Sequence, residues 1–264
     1  MKTFDPSTHR AKKRFGQNFL QDQGVIDRIV SCVRAKKDDN IIEIGPGLGA
    51  ITKQILPVVG QMNVIELDRE LIPKLKFNCD GLGQLTINQE DALGVDYNRF
   101  ADAGPMRIVG NLPYNISTPL LFHLFGFLDK IKDMHFMLQK EVVLRMTAQP
   151  GSKTYGRLSV MTQSVCDLRM LFLVPPESFI PAPKVDSAIV YLAPRKHPVT
   201  IHDRPLFGQL VSEAFNQRRK TLRNVWRNRI EVERLESLDI DPKLRPEQLS
   251  LEDFVRVANH LAEN

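Results

Sequence analysis

The sequence predicts an α/β protein, with a mainly parallel sheet covered by helices on both faces, an antiparallel end strand and a small all-α C-terminal domain. Three observations predict it. Short apolar runs alternate with segments of helical period from Asp22 to Pro194, the last two such runs are joined by a loop alone, and no strand pattern follows Pro194.

From Asp22, placed as an N-cap, Val25, Ile26, Ile29, Val30 and Val33 recur at helical spacing. The apolar run after Asn40, closed by Gly45, reads as a buried strand; residues 51–58 read as a helix and 62–67 as the second strand. Residues 69–77 read as a helix, 85–88 as the third strand and 107–111 as the fourth. A helix follows with Thr118 as its cap and Pro119 at its first position, where a missing N–H costs nothing. It is apolar on nearly every side (Leu120, Leu121, Phe122, Leu124, Phe125, Leu128), which predicts deep burial. Residues 134–139 supply a fifth strand, 140–148 and 155–166 helical patterns, and 170–174 and 187–192 two further strands. A parallel return between those two would need a crossover, so the sheet is expected to end antiparallel. Beyond Pro194, Leu206, Phe207, Leu210, Val211, Ala214 and Phe215 mark a helix, a basic helix follows, and residues 251–261 form another behind a capping Ser250. The expected domains are 1–198 and 199–264.

Composition sets outer limits. With 264 residues, 42% hydrophobic and 25% charged, the chain is neither fibrous nor largely disordered. Cys32, Cys79 and Cys166 are widely spaced with no C-x-x-C pair, and the six histidines show no ligand spacing, so neither a disulfide framework nor a metal is expected. The basic N-terminus has no apolar stretch behind it, and the most apolar run, 119–128, is short of the roughly 20 residues a membrane span needs. A cytoplasmic protein without membrane contact is expected. The net charge of +5 is local: residues 9–14 hold four Lys/Arg and residues 218–229 hold six, with no acid in either run.

The run Glu43-Ile-Gly45-Pro-Gly47-Leu-Gly49-Ala50 follows a strand and opens a helix, where glycines allow a sharp turn and close approach of backbone to a ligand. The loop alone fits a dinucleotide or S-adenosylmethionine equally. Glu66, 21 residues beyond Gly45 at the end of the second strand, is placed to accept from both hydroxyls of a ribose, with Asp68 competing for that role. Asp91, after the third strand, can accept from an adenine amino group.

Asn111-Leu112-Pro113-Tyr114 closes the fourth strand, at the edge where doubly wound sheets bind ligands. An exocyclic amine on adenine is a poor nucleophile because its lone pair is delocalised into the ring. Two acceptors on its hydrogens, the Asn111 side-chain oxygen and the Leu112 carbonyl, can localise that pair and aim it at a methyl group. Pro113 fixes the backbone carrying this carbonyl, and Tyr114 offers a ring face to the base.

In this order, and set between FGQNFL at 15–20 and FIPAPKVDSA at 179–188, the motifs resemble those of the ribosomal RNA adenine N6,N6-dimethyltransferase family over essentially the whole chain. Within that family the pattern is similar to the bacterial enzymes that dimethylate two adjacent adenosines near the 3′ end of 16S rRNA. The resemblance implies a class I methyltransferase (Rossmann-like) fold and S-adenosylmethionine as methyl donor. It also implies Asn18 and Leu20 over the donor's methionine end, Gly45 and Gly47 against it through backbone, Glu66 on the ribose and Asp91 on the adenine. Asn111 then lies where donor and target base meet, and Phe179 forms a second aromatic wall opposite Tyr114. The implied partner is 16S rRNA in immature 30S subunits, with the enzyme acting as a monomer in ribosome biogenesis.

Arg219, Arg223 and Arg227 repeat every four residues, giving one basic stripe if helical, either a phosphate-tracking surface or a solvated face. The 9–14 run is either an arm that orders on RNA or a solubilising tail. Three rivals stay open: a non-catalytic ribosome-assembly factor on the same fold, a DNA adenine-N6 methyltransferase, and a nicotinamide oxidoreductase, which leaves Asn111–Tyr114 unexplained. Cytosine-C5 methylation is disfavoured because no Pro-Cys motif is present.

Overall fold

The computed structural model describes residues 17–263; the basic run 9–14, Phe15 and Gly16 lie outside the described residues. The first elements are β1 (Phe19–Leu20), α1 (Gln23–Val33), β2 (Ile41–Ile44), α2 (Thr52–Val59), β3 (Gln61–Ile65), α3 (Ile72–Cys79) and β4 (Gln84–Asn88). Then come β5 (Met106–Asn111), α4 (Ser117–Leu124), β6 (Ile131–Gln139), α5 (Lys140–Met146), α6 (Arg157–Gln163), β7 (Cys166–Val174), β8 (Phe179–Ile180) and β9 (Ser187–Pro194).

The seven-stranded sheet has the order β4-β3-β2-β5-β6-β9-β7. Neighbours from β4 to β6 run parallel, and β9 pairs antiparallel with β6, from Met134↔Leu192 to Gln139↔Ser187. The chain moves outward one way through β3 and β4 and the other way through β5 and β6. The carboxyl ends of β2 and β5 therefore form the switch point where such sheets bind ligands. Asp22 caps α1 as expected, its side chain accepting from Val25 N, and Ile26, Ile29 and Val33 are buried against the sheet's core cluster.

Two local expectations change. α4 begins two residues earlier, at Ser117 with Ile116 at the cap, so Thr118 and Pro119 fall inside the first turn, where amides lack intrahelical acceptors anyway. Burial of α4 is one-sided: Leu120, Leu121 and Leu124 are buried while Phe122 is 40% exposed. A small antiparallel ribbon also forms, β1 on β8, with Leu20 opposite Phe179. Two-residue strands carry no readable period, so no sequence pattern announces them.

A single division at 198/199 does not describe the chain. Residues up to Val143 with Arg169–Pro194 form one compact unit, and Leu144–Leu168 with the chain from Arg195 form another. Ala148, Tyr155 and Val160 enter the core of this second unit beside Phe207, Leu210, Leu222, Trp226 and Phe254, which is why α6 belongs there. The unit also contains α7 (Arg204–Asn216), α8 (Leu222–Val225), α9 (Val232–Ser237) and α10 (Leu251–Ala262), the last opened by a capping box between Ser250 and Asp253.

The expected basic helix is not continuous. Residues 218–221 lie outside α8, which is four residues long, and the amides of its first two residues, Leu222 and Arg223, donate to the carbonyls of Leu244 and Pro242, at 2.9 and 3.1 Å. The apolar half of the reading does pack: Leu222, Val225, Trp226 and Ile230 are all buried. No helix among the described residues is long and apolar enough to cross a membrane.

Candidate functional site

The carboxyl ends of β2, β3, β4 and β5 open into a cavity of about 730 Å³. Its lining includes Asn18, Leu20, Gly45, Gly47, Glu66, Asp91, Asn111, Leu112 and Tyr114, so the structure brings together every candidate residue but one. The exception is Phe179, which does not line the cavity. Its backbone pairs with Leu20 in the ribbon, and its side chain, 3% exposed, packs into the sheet's core cluster with Leu20, Val174 and Ile189. Here Phe179 braces the β1 segment from behind instead of forming a wall opposite Tyr114.

The glycine turn is shaped by backbone. Gly45 and Gly47 carry φ of 69° and 58°, a region L side chains rarely adopt. A Cβ on Gly47 would meet the Phe19 ring at 3.3 Å, so this glycine lets Phe19 lie on the turn; Phe19 is buried with Leu48 and Leu71. Phe19 stands between Asn18 and Leu20 in the sequence, where no local signal marks this contact with Gly47.

Glu66 is the better placed of the two carboxylates after β3. Its Oε2 accepts from Gly47 N at 3.2 Å and its Oε1 from Asp68 N at 2.8 Å. Burial pushes its pKa up to about 6 despite those amides, and no cationic side chain is among the causes of the shift. Asp68, 2% exposed, turns elsewhere: its Oδ1 accepts from Glu70 N, and its Oδ2 accepts from the Gln17 side chain at 2.9 Å. Asp68 thus ties the β1 segment to the β3 turn, a role for Asp68 and Gln17 that neither residue type nor spacing signals. Asp91 is exposed, and its Oδ1 accepts from Leu93 N at 3.0 Å.

Glu43 also borders the cavity, 2% exposed and with Thr52 Oγ1 donating to it at 2.5 Å. Burial pushes its pKa up to about 7, with the nearby Glu66 adding to the rise.

Asn111 ends β5. Its Nδ2 donates to Asn18 O at 3.1 Å, which leaves Oδ1 as the acceptor to offer an incoming amine. Gly110 beside it is obligatory: a Cβ there would lie 2.6 Å from Ile44 O, inside the β2–β5 pairing. Leu112 is buried and its N donates to Met137 O at 3.2 Å. Tyr114 borders the cavity, held by Ser117 Oγ at its carbonyl (3.1 Å) and by Ser187 Oγ at its hydroxyl (2.7 Å).

In the second unit, Arg218 pairs with Glu247 and Arg229 with Glu213, both at 2.5 Å. Arg219, Lys220, Arg223 and Arg227 are exposed and make no ion pair among the described residues.

Comparison with known proteins gives one consistent result. The family model for ribosomal RNA adenine dimethylase matches residues 8–263. The ribosomal RNA small subunit methyltransferase A of Chromohalobacter salexigens is 54% identical over 98% of this chain and 94% of its own. That of Saccharophagus degradans is 56% identical over 98% of each. Among solved structures, a dimethyladenosine transferase from Plasmodium falciparum superposes with a TM-score of 0.81 at 26% identity, covering 93% of this chain and 98% of its own.

Proposed function

The chain belongs to the ribosomal RNA adenine dimethylase family, and from that premise we propose how its cavity works and which RNA it serves. It is a methyltransferase of the class I fold that dimethylates adenine in ribosomal RNA. The substrate is two adjacent adenosines near the 3′ end of 16S rRNA, met in immature 30S subunits by a monomer in the cytoplasm. The names of its small-subunit relatives support this choice of RNA.

The cavity residues fit S-adenosylmethionine. Glu66 is a buried carboxylate with no cation among the causes of its shift within the described residues, suited to a diol. Backbone reaches the cavity at Gly45 and Gly47, with Asn18 and Leu20 along one wall and Asp91 as an acceptor at the rim. When bound, the donor supplies an electrophilic sulfonium methyl, so no strong protein base is required.

The protein's part is alignment. Asn111 Oδ1 and Leu112 O accept from the two hydrogens of the adenine amine, drawing its lone pair out of the ring and toward the donor. Tyr114 stacks on the base, an interaction worth about 1–3 kcal/mol. Orientation of this kind supplies a large part of the rate when both reactants are held. The observation that carries this reading is the Asn111–Asn18 hydrogen bond, which fixes the carboxamide so that its oxygen is the free end. Arg219, Lys220, Arg223 and Arg227 supply phosphate contacts that position the RNA without reading bases.

The test combines methyl-labelled donor, unmethylated 30S subunits and nucleoside analysis. Label should appear in N6,N6-dimethyladenosine, and Asn111→Ala should slow transfer about 10²–10³-fold, the scale of losing one aligned polar group in an active site. Label confined to cytosine, preference for duplex DNA, or an Asn111→Ala variant of full rate would overturn the reading.

A further inference from the structure

The segment 179–188 contains Ser187, to which the mechanism above gives no role. Ser187 is fully buried at the first position of β9, opposite Gln139 of β6. Its neighbour Asp186 accepts from Lys140 N at 2.9 Å, so the residue sits in backbone fixed on both sides. From there its Oγ lies 2.7 Å from the hydroxyl of Tyr114, whose carbonyl end is held separately by Ser117.

We propose that Ser187 is a positioning residue for the target base, locking the Tyr114 ring at the cavity wall before RNA arrives. A tyrosine tied at its carbonyl alone keeps side-chain freedom, and ordering such a side chain on binding weakens affinity roughly 2–10-fold. A partner at the far end of the ring completes that ordering during folding. A small hydroxyl residue suits this place, because the position is fully buried and its hydroxyl needs a partner, which the half-buried phenol supplies. The short loop between the β1–β8 ribbon and β9 thereby has a function in catalysis: its end point sets the base platform.

This inference rests on the reading that Tyr114 faces the target base, so the experiment separates the two. Tyr114→Ala, Tyr114→Phe, Ser187→Ala and the Phe/Ala double variant are compared by kcat/KM for unmethylated 30S subunits, by donor affinity in calorimetry and by thermal melting. Tyr114→Phe and Ser187→Ala should each lower kcat/KM roughly 2–10-fold, mainly through KM for the 30S subunit, with donor affinity unchanged. The double variant should be no worse than either single one, because both remove the same bond. Tyr114→Phe keeps the ring and leaves no buried hydroxyl unpaired on the tyrosine, so it reports even if Ser187→Ala folds poorly. If Tyr114→Ala is impaired while both single variants match the parent, the inference falls and the base-stacking reading stands. Additive losses in the double variant would also overturn it. A fully active Tyr114→Ala would remove the reading itself.

Discussion

The two edges of one sheet treat buried charge in opposite ways. At the amino edge, Arg107 at the second position of β5 is 6% exposed and fully engaged. Its guanidinium bonds Asp39 at 2.7 Å, both oxygens of Asp133, and the carbonyls of Val33 and Arg34. Burial alone would raise the Asp39 carboxyl, but the Lys36 amide and the Arg107 guanidinium overcome it and hold the group below its ordinary value. At the carboxyl edge, Glu43 and Glu66 are just as deeply buried, yet both are raised, with no cation among the causes. Charge that is answered inside the protein serves the fold. Charge left unanswered at a cavity is what the proposed donor site requires.

The largest effect expected from breaking this contrast is at the answered edge. Arg107→Met keeps side-chain volume but leaves Asp133 buried without its guanidinium partner and Asp39 with only the more distant Lys132 at 3.8 Å, and should cost about 3–5 kcal/mol of stability in denaturant unfolding. Donor affinity, measured on the folded variant at low temperature, should stay within about twofold. A large loss of affinity would show that the two edges are not separate in function.

At the unanswered edge the same kind of change should act on binding. Glu66→Gln keeps one acceptor oxygen for two backbone amides and removes the charge, so donor affinity should fall about 10-fold or more, since charge-assisted hydrogen bonds exceed neutral ones by about 1–2 kcal/mol. In the parent protein, affinity should hold above pH 6 and decline as pH falls through the Glu66 pKa of about 6. An identical pH profile in Glu66→Gln would assign the titration to another group.

The same contrast shows what was legible in the sequence. Glu66, Asn111, Gly45 and Gly47 could be read because a strand end, a glycine turn and a fixed interval place them without tertiary knowledge. Gln17, Phe19 and Ser187 stood inside motifs already noticed, but their partners Asp68, Gly47 and Tyr114 come from other strands, and no local period reports such pairings. Phe179 was read by resemblance as facing the cavity; its pairing with Leu20, which turns it into the core, is a long-range event. In the second unit, apolar spacing identified the buried face of 222–230 correctly. The expected helix is interrupted before Leu222, where the amides of Leu222 and Arg223 meet the carbonyls of Leu244 and Pro242, partners that no local period reports. Arg107 was merely the first residue of an expected strand, and nothing local marks it as the hub of two carboxylates.

Glu43 offers the smallest and sharpest test, because it separates charge from shape at one buried position. Its folded pKa of about 7 lies above the ordinary 4.5, so the folded state holds the proton more tightly than the unfolded chain. The burden of ionising it is absent below about pH 4.5, grows as pH rises, and is complete above about pH 7. Glu43→Gln removes that titration while keeping an oxygen for Thr52, and its amide nitrogen adds a penalty that does not depend on pH. The informative quantity is therefore the change in the stability difference, not its absolute size. Between pH 5 and pH 8 the variant should gain on the parent by on the order of 1–3 kcal/mol in denaturant melts. A difference that stays flat over that range would mean the Glu43 charge is already answered within the fold, as the charge of Arg107 is. The two edges would then obey one rule, and a raised carboxyl at this cavity could no longer be read as a place kept for a ligand.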